Sequence, residues 1–155
     1  MPHPILLYDG VCGLCNRFVQ FILRRDHDAN FRFAWLQSAL AARILAHHGV
    51  NPGDLDTLYV VVDHELYPDP SKDESDLDSA QPNQYLLSRS DAVLFVLKQL
   101  GGLWRPFAFL LQLLPKSLRN LAYNTVARRR YRLFGRSEVC ILPEDHDHSR
   151  FLDGQ

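Results

Sequence analysis

The sequence predicts an α/β protein, a central sheet with flanking helices, and three observations carry that expectation. Short apolar runs alternate with segments of helical period in the order strand, helix, strand, helix, strand, strand, helix. The run Thr57-Leu58-Tyr59-Val60-Val61-Val62 is β-branched and apolar throughout, as expected of a central strand covered on both faces. A chain of 155 residues, 46% hydrophobic, is long enough to bury a core as one domain without covalent staples.

Ile5-Leu6-Leu7-Tyr8 forms the first strand, closed by the turn pair Asp9-Gly10. From there the apolar period lengthens. At about 100° per residue, Cys15, Phe18, Val19, Ile22 and Leu23 share one face and Arg17, Gln20 and Arg24 the other, so a helix runs to about Asp26-His27-Asp28. Phe31 to Leu36 alternates as a strand, and Ala39 to His48, closed by Gly49, reads as a second helix whose two terminal histidines suit its negative end. Gln84 to Leu87 is the partner strand of the Thr57 run, and Ser90 or Asp91 is the expected cap of a helix through Leu100. Beyond Gly101-Gly102, helices are expected over Pro106 to Leu114 and Ser117 to about Leu133. The expected organisation is a single domain over 1–143, with a core at about 1–100 and a helical extension at about 101–143. A mobile acidic loop over 68–82 holds five acids against Lys72 alone, and a flexible tail occupies 144–155.

Net charge is −1 with seven histidines counted neutral, so bulk electrostatics name no partner. Three cysteines are too few, and odd in number, for a secreted disulfide scaffold. The N-terminal residues lack the pattern of a secretory signal, which points to a reducing cytoplasm. The most apolar stretch, Ala92 to Pro115, is broken by Lys98, Gln99, Arg105 and Gln112, short of the roughly 20 apolar residues of a membrane span. No acid lies between Asp91 and Glu138, yet Arg128-Arg129-Arg130 with Tyr131 and Phe134 reads as a solvated helical face, Arg130 and Arg132 pairing acids of the same chain, rather than a nucleic-acid site. Leu103 to Leu111 is expected to pack over the sheet rather than lie on a membrane or a partner.

The chemistry concentrates in Cys12-Gly13-Leu14-Cys15, at the junction of strand and helix. Cys12 falls at the helix N-cap, where the positive end of the helix stabilises an anion by about 0.3–1 kcal/mol and lowers a thiol toward neutrality. Cys15, on the first turn, faces the core. Cys12 is thus the candidate nucleophile and Cys15 the more buried resolving thiol. Asp9 is a poor activator of Cys12, since a carboxylate disfavours a neighbouring thiolate; it serves either as proton acceptor for Cys15 or simply as the first residue of the turn. A zinc site built from Cys12, Cys15, Cys140 and a tail histidine, His146 or His148, is the competing arrangement, as the staple of a non-enzymatic partner-binding module. Its second half lacks compact ligand spacing. Cys140, beside Ile141 and Leu142, reads first as a buried apolar residue, with a third redox thiol or a metal ligand as its other readings.

Tyr8-Asp9-Gly10-Val11-Cys12-Gly13-Leu14-Cys15-Asn16 resembles the signature of the DCC family, thiol-disulfide oxidoreductases named for an Asp-x-x-Cys-x-x-Cys motif. The similarity continues through Ser90-Asp91-Ala92-Val93, Leu100-Gly101-Gly102-Leu103-Trp104, Arg130 to Arg136, and Cys140-Ile141-Leu142-Pro143. The resemblance implies a thioredoxin-like fold, Asp9, Cys12 and Cys15 as motif residues, and Ser90, Arg130 and Cys140 as accessory positions. It implies no cofactor or metal. The expected partner is a disulfide-containing protein or a small thiol, with an unspecified electron donor. Two departures from thioredoxins are visible: Asp56 stands where they carry a proline before the third strand, so substrate must be held differently, and the intervening dipeptide is Gly13-Leu14, without the proline of many reductases, so their redox potential does not carry over.

Overall fold

The computed structural model describes residues 3–51, 57–63, 84–136 and 148–152. Strands β1 (Ile5–Tyr8), β2 (Arg32–Trp35), β3 (Tyr59–Asp63) and β4 (Gln84–Ser88) form one sheet in the order β2-β1-β3-β4. β1 runs parallel to β2 and antiparallel to β3, which is antiparallel to β4. The helices are α1 (Gly13–Leu23), α2 (Ala39–His47), α3 (Arg89–Leu100), α4 (Trp104–Gln112) and α5 (Lys116–Phe134). A parallel pair requires a crossover, and α1 supplies it between β1 and β2. This is an α/β architecture of the thioredoxin-like kind.

The continuous apolar character of β1 and β3 follows from burial on both faces. Leu6, Tyr8, Phe33, Val60 and Val62 pack with Val19 and Ile22 of α1 and with Ala92, Phe95 and Val96 of α3. The alternate residues, Leu7, Ala34, Tyr59 and Val61, pack with Ala41 and Leu45 of α2. Register places Leu6 beside both Phe33 and Val60, so each face of β1 is matched across the sheet. α2 begins at Ser38, whose hydroxyl oxygen accepts the Ala41 amide at 3.1 Å.

Several expectations are corrected. α3 starts at Arg89, with Ser88 in the N-cap position, so neither Ser90 nor Asp91 caps it. Both side chains turn to α5 instead: the Ser90 hydroxyl donates to Asn120 Oδ1 at 2.6 Å, and Asp91 pairs with Lys116 at 2.8 Å and Arg119 at 3.4 Å. The Leu103 to Leu111 stretch does not pack over the sheet. α4 leans on α3 through Trp104, Ala108 and Leu111 and leaves its other apolar residues in solvent. Arg130 is no part of a solvated face, because it is buried.

The expected acidic loop over 68–82, Asp56, Cys140 and His146 lie outside the described residues. Residues 148–152 of the expected tail are placed against the sheet. A short 3₁₀ turn at His148–Arg150 lies against β2, where Phe151 stacks on Phe33 at 5.2 Å between ring centres and the Leu152 amide donates to the Phe33 carbonyl at 2.9 Å. Arg150 is buried there against Asp26, whose oxygens also accept the Asn30 amide at 3.0 Å and the Phe31 amide at 2.9 Å. Removing one member of a buried pair leaves the other charge uncompensated, typically at a cost of about 3–5 kcal/mol. Arg150→Ala is therefore expected to lower the unfolding free energy by about 3 kcal/mol, read as a shifted midpoint in urea; an unchanged midpoint counts against the pair as an anchor.

Candidate dithiol site

The turn Asp9-Gly10 carries the chain from β1 into α1 under three local restraints. The Asp9 carbonyl accepts the Cys12 amide at 3.2 Å, Asp9 Oδ1 accepts the Val11 amide at 3.1 Å, and the buried Asn16 amide group donates back to the Gly10 carbonyl at 3.1 Å. Cys12 thereby takes the N-cap position of α1 in an extended conformation, and its Sγ accepts the Cys15 amide at 3.4 Å. Sulfur here occupies the place that a serine or aspartate oxygen fills at an ordinary N-cap.

The two thiols are driven apart in acidity. A hydrogen bond from the Cys15 thiol is the main cause that lowers Cys12 to about 6; burial opposes it, and the Cys15 amide and the Arg130 charge add to it. The same hydrogen bond, with burial and the nearby Cys12 charge, pushes the Cys15 thiol far up. In the dithiol form the pair is thus a Cys12 thiolate held by a Cys15 thiol.

Burial runs opposite to expectation. Cys12 is fully buried, whereas Cys15 is partly exposed. The cover comes from the turn that ends α5, where Arg136 forms an antiparallel bridge with Cys12 and the Gly13 amide donates to the Gly135 carbonyl at 3.3 Å. Gly13 is required for this approach, since a Cβ there would lie 2.4 Å from the Phe134 carbonyl oxygen.

Asp9 is buried at the centre of a polar cluster next to the thiols. Its Oδ1 also accepts from Gln37 Nε2 at 2.8 Å, and its Oδ2 accepts from Arg130 Nη2 at 3.2 Å and from the Tyr131 hydroxyl. Arg130 is buried too, and its guanidinium donates to the Tyr131 oxygen at 2.8 Å. Burial disfavours the guanidinium charge, but Tyr131 and the negative charge of the cysteines outweigh it and raise its pKa. Burial and the bond to Asp9 push the Tyr131 hydroxyl up to about 12, so it remains a donor at neutral pH.

A thioredoxin-like sheet with Asp-x-x-Cys-x-x-Cys at the β1–α1 junction can be set against known proteins. Residues 6–136 match the DCC1-like thiol-disulfide oxidoreductase family. The chain belongs to that family. It is similar to the uncharacterized protein YuxK of Bacillus subtilis (strain 168), with 33% identity over 152 residues covering 98% of this chain and 96% of that one. It is also similar to a chloroplastic DCC family protein of Arabidopsis thaliana, with 36% identity over 142 residues covering 90% of this chain and 70% of the relative. No solved structure shows significant similarity to it.

In this DCC1-like chain, Asp9, Cys12, Cys15 and Arg130 come together, although Arg130 is 121 residues from Asp9. Ser90 is held by Asn120, between α3 and α5. Cys140 and His146 lie outside the described residues, and among those described no group of three or more histidine, cysteine or acidic side chains is placed to hold a metal. The sequence does not single out Gln37, Gly135 or Arg136, and it marks Tyr131 only as an aromatic beside the arginines of a helical face. Tyr131, Gly135 and Arg136 belong to the family-like segment from Arg130, but nothing local marks Gln37.

Three outcomes follow for the dithiol form. The rate of Cys12 alkylation by iodoacetamide should rise with pH through a midpoint near 6, because the proton is lost there and the thiolate reacts above it. Arg130→Met should move that midpoint upward, toward the ordinary thiol value of about 8.5, with circular dichroism confirming the fold. Gly13→Ala must push the Phe134–Arg136 turn aside and should speed Cys12 alkylation in buffer about two pH units above the midpoint, where ionisation is complete and access alone is read.

Proposed function

We propose that the protein is a dithiol oxidoreductase in which Cys12 is the nucleophile and Cys15 the resolving thiol. The observation that carries the reading is the placement of Cys12 at the N-cap of α1, its Sγ accepting the Cys15 amide beside the buried Arg130 guanidinium, an arrangement that favours the Cys12 anion over that of Cys15. Cys12 thiolate attacks one sulfur of a substrate disulfide, forming a mixed disulfide and releasing the other sulfur as a thiolate that takes a proton from water. Cys12 then carries no charge and no longer accepts the Cys15 hydrogen. Both causes that most directly depend on Cys12 are gone, so the Cys15 thiol becomes easier to ionise, with Arg130 close enough to favour its anion. Cys15 gives its proton to solvent and attacks Cys12 Sγ. The products are a Cys12–Cys15 disulfide and the second substrate thiol, with two electrons passed to the substrate. An external thiol reductant restores the dithiol.

Asp9 serves in this reading to position Arg130 rather than to take the Cys15 proton. Four donors already surround its two oxygens, which leaves little acceptor capacity for a thiol. The Cys12–Arg136 bridge also suggests how substrate is held without the proline of thioredoxins: an extended substrate chain would exchange for Arg136 and pair with the Cys12 backbone. The sparse, odd cysteine count supports a reducing compartment such as the cytoplasm, and the dithiol pair with the family match supports a disulfide-bearing protein or a small thiol compound as substrate.

Cys12→Ser should abolish reduction of a model disulfide such as oxidised glutathione or insulin. Cys15→Ser should instead accumulate a mixed disulfide on Cys12, seen as an adduct by mass spectrometry. Wild-type exchange rates in both variants would refute the assignment.

A further inference from the structure

The helical hairpin α4–α5 carries a surface that the redox reading does not use. Apolar residues surround α4 on nearly every side. One face, Trp104, Ala108 and Leu111, packs on α3. Counted at about 100° per residue, Leu103, Phe107, Phe109, Leu110, Leu113 and Leu114 span a second arc of about 160°. That arc is exposed: Leu103 is 87%, Phe109 64%, Leu110 62% and Leu113 67% accessible. A helix that is apolar all round is ordinarily buried, and among the described residues nothing covers this arc of α4. The following helix continues the pattern with polarity inverted. Its inner face is polar, with Asn120, Tyr123, Arg130 and Tyr131 bonded to Ser90, the Leu58 amide and Asp9. Its outer face changes along its length from Leu118 and Leu121 to Arg128, Arg129 and Arg132, all exposed.

Charge identifies the cover. From Ala92 to Ser137 there are nine lysines and arginines and no acid; Arg130 is paired with Asp9, and Lys116 and Arg119 with Asp91, which leaves six, among them Arg105 beside the apolar arc and the exposed Arg128, Arg129 and Arg132 of α5. Two copies meeting through this face would bring like charges together. A protein partner ordinarily needs a hydrogen bond every 100–200 Å² or so, yet Pro106 to Leu111 offers no polar side chain. Exposed Phe and Leu flanked by Arg and Lys match a lipid surface, the rings and leucines entering the acyl boundary and the cations meeting anionic headgroups. No helix among the described residues is long and apolar enough to cross a membrane, so the contact would be peripheral.

We infer that the α4–α5 hairpin docks this protein on anionic lipid membranes. The inference is independent of the thiol chemistry. It is tested by sedimenting the full chain, in reductant, with vesicles of phosphatidylcholine alone and of phosphatidylcholine mixed with phosphatidylglycerol. Binding is expected to the mixed vesicles, to fall several-fold when KCl is raised to about 0.5 M, and to drop by about tenfold or more in Phe109→Glu/Leu110→Glu, which removes two exposed apolar side chains. The double variant should keep the fold and the Cys12 alkylation rate. Absence of binding to mixed vesicles, equal binding by the double variant, or a stable dimer dispersed by the double substitution without vesicle binding would each overturn the inference.

Discussion

The buried pair of Asp9 and Arg130 joins the two ends of the fold beside the Cys12–Cys15 pair. Asp9 closes β1, while Arg130 comes from the last turns of α5, and Tyr131 reaches the same carboxylate. Each charge is taken out of water only because the other is there, so neither residue can be understood alone. Through this contact α5 is set against the β1–α1 turn, Gly135 is brought to Gly13, and a positive charge stands beside Cys12 and Cys15. Gln37, from the β2–α2 turn, completes the ring of donors and ties the second crossover into the same cluster.

The segment from Lys116 is therefore more than an addition to a finished core. Tyr123 packs against the core cluster and its hydroxyl accepts the Leu58 amide at 2.9 Å, just before β3. Asn120 meets Ser90 at the start of α3, and Asp91 holds Lys116 and Arg119. α5 is thus bound along its length mostly by polar side chains, in contrast to α1 and α3, which are bound by apolar packing.

The sheet was legible because period and burial act within a few residues. Leu6 and Leu7 face opposite clusters, and the uninterrupted apolar run announced two covered faces before any partner was known. The start of α1 was legible for the same reason, since Asp9-Gly10 and the change of period are neighbours. Relative burial of the cysteines was not. Helix geometry alone turns Cys15 inward, but what conceals Cys12 is a backbone turn from the far end of the chain. Ser90 and Asp91 look like caps locally and are claimed by α5 through distant contacts. The Leu103 to Leu111 stretch illustrates a further limit: apolar composition indicates a preference for cover without saying whether the same chain provides it.

The covering of Cys12 has a kinetic side. Arg130 and the Phe134–Arg136 turn belong to one helix and its end, so a swing of α5 that uncovers Cys12 also withdraws the guanidinium that favours its anion. Access and acidity would then trade against each other. Movement limited to the residues beyond Arg130 avoids that conflict, and Gly135, at φ 72°, is where the backbone departs from the helix. Opening at that joint would keep the Cys12 sulfur charged while exposing it, whereas opening further back would expose a less acidic thiol.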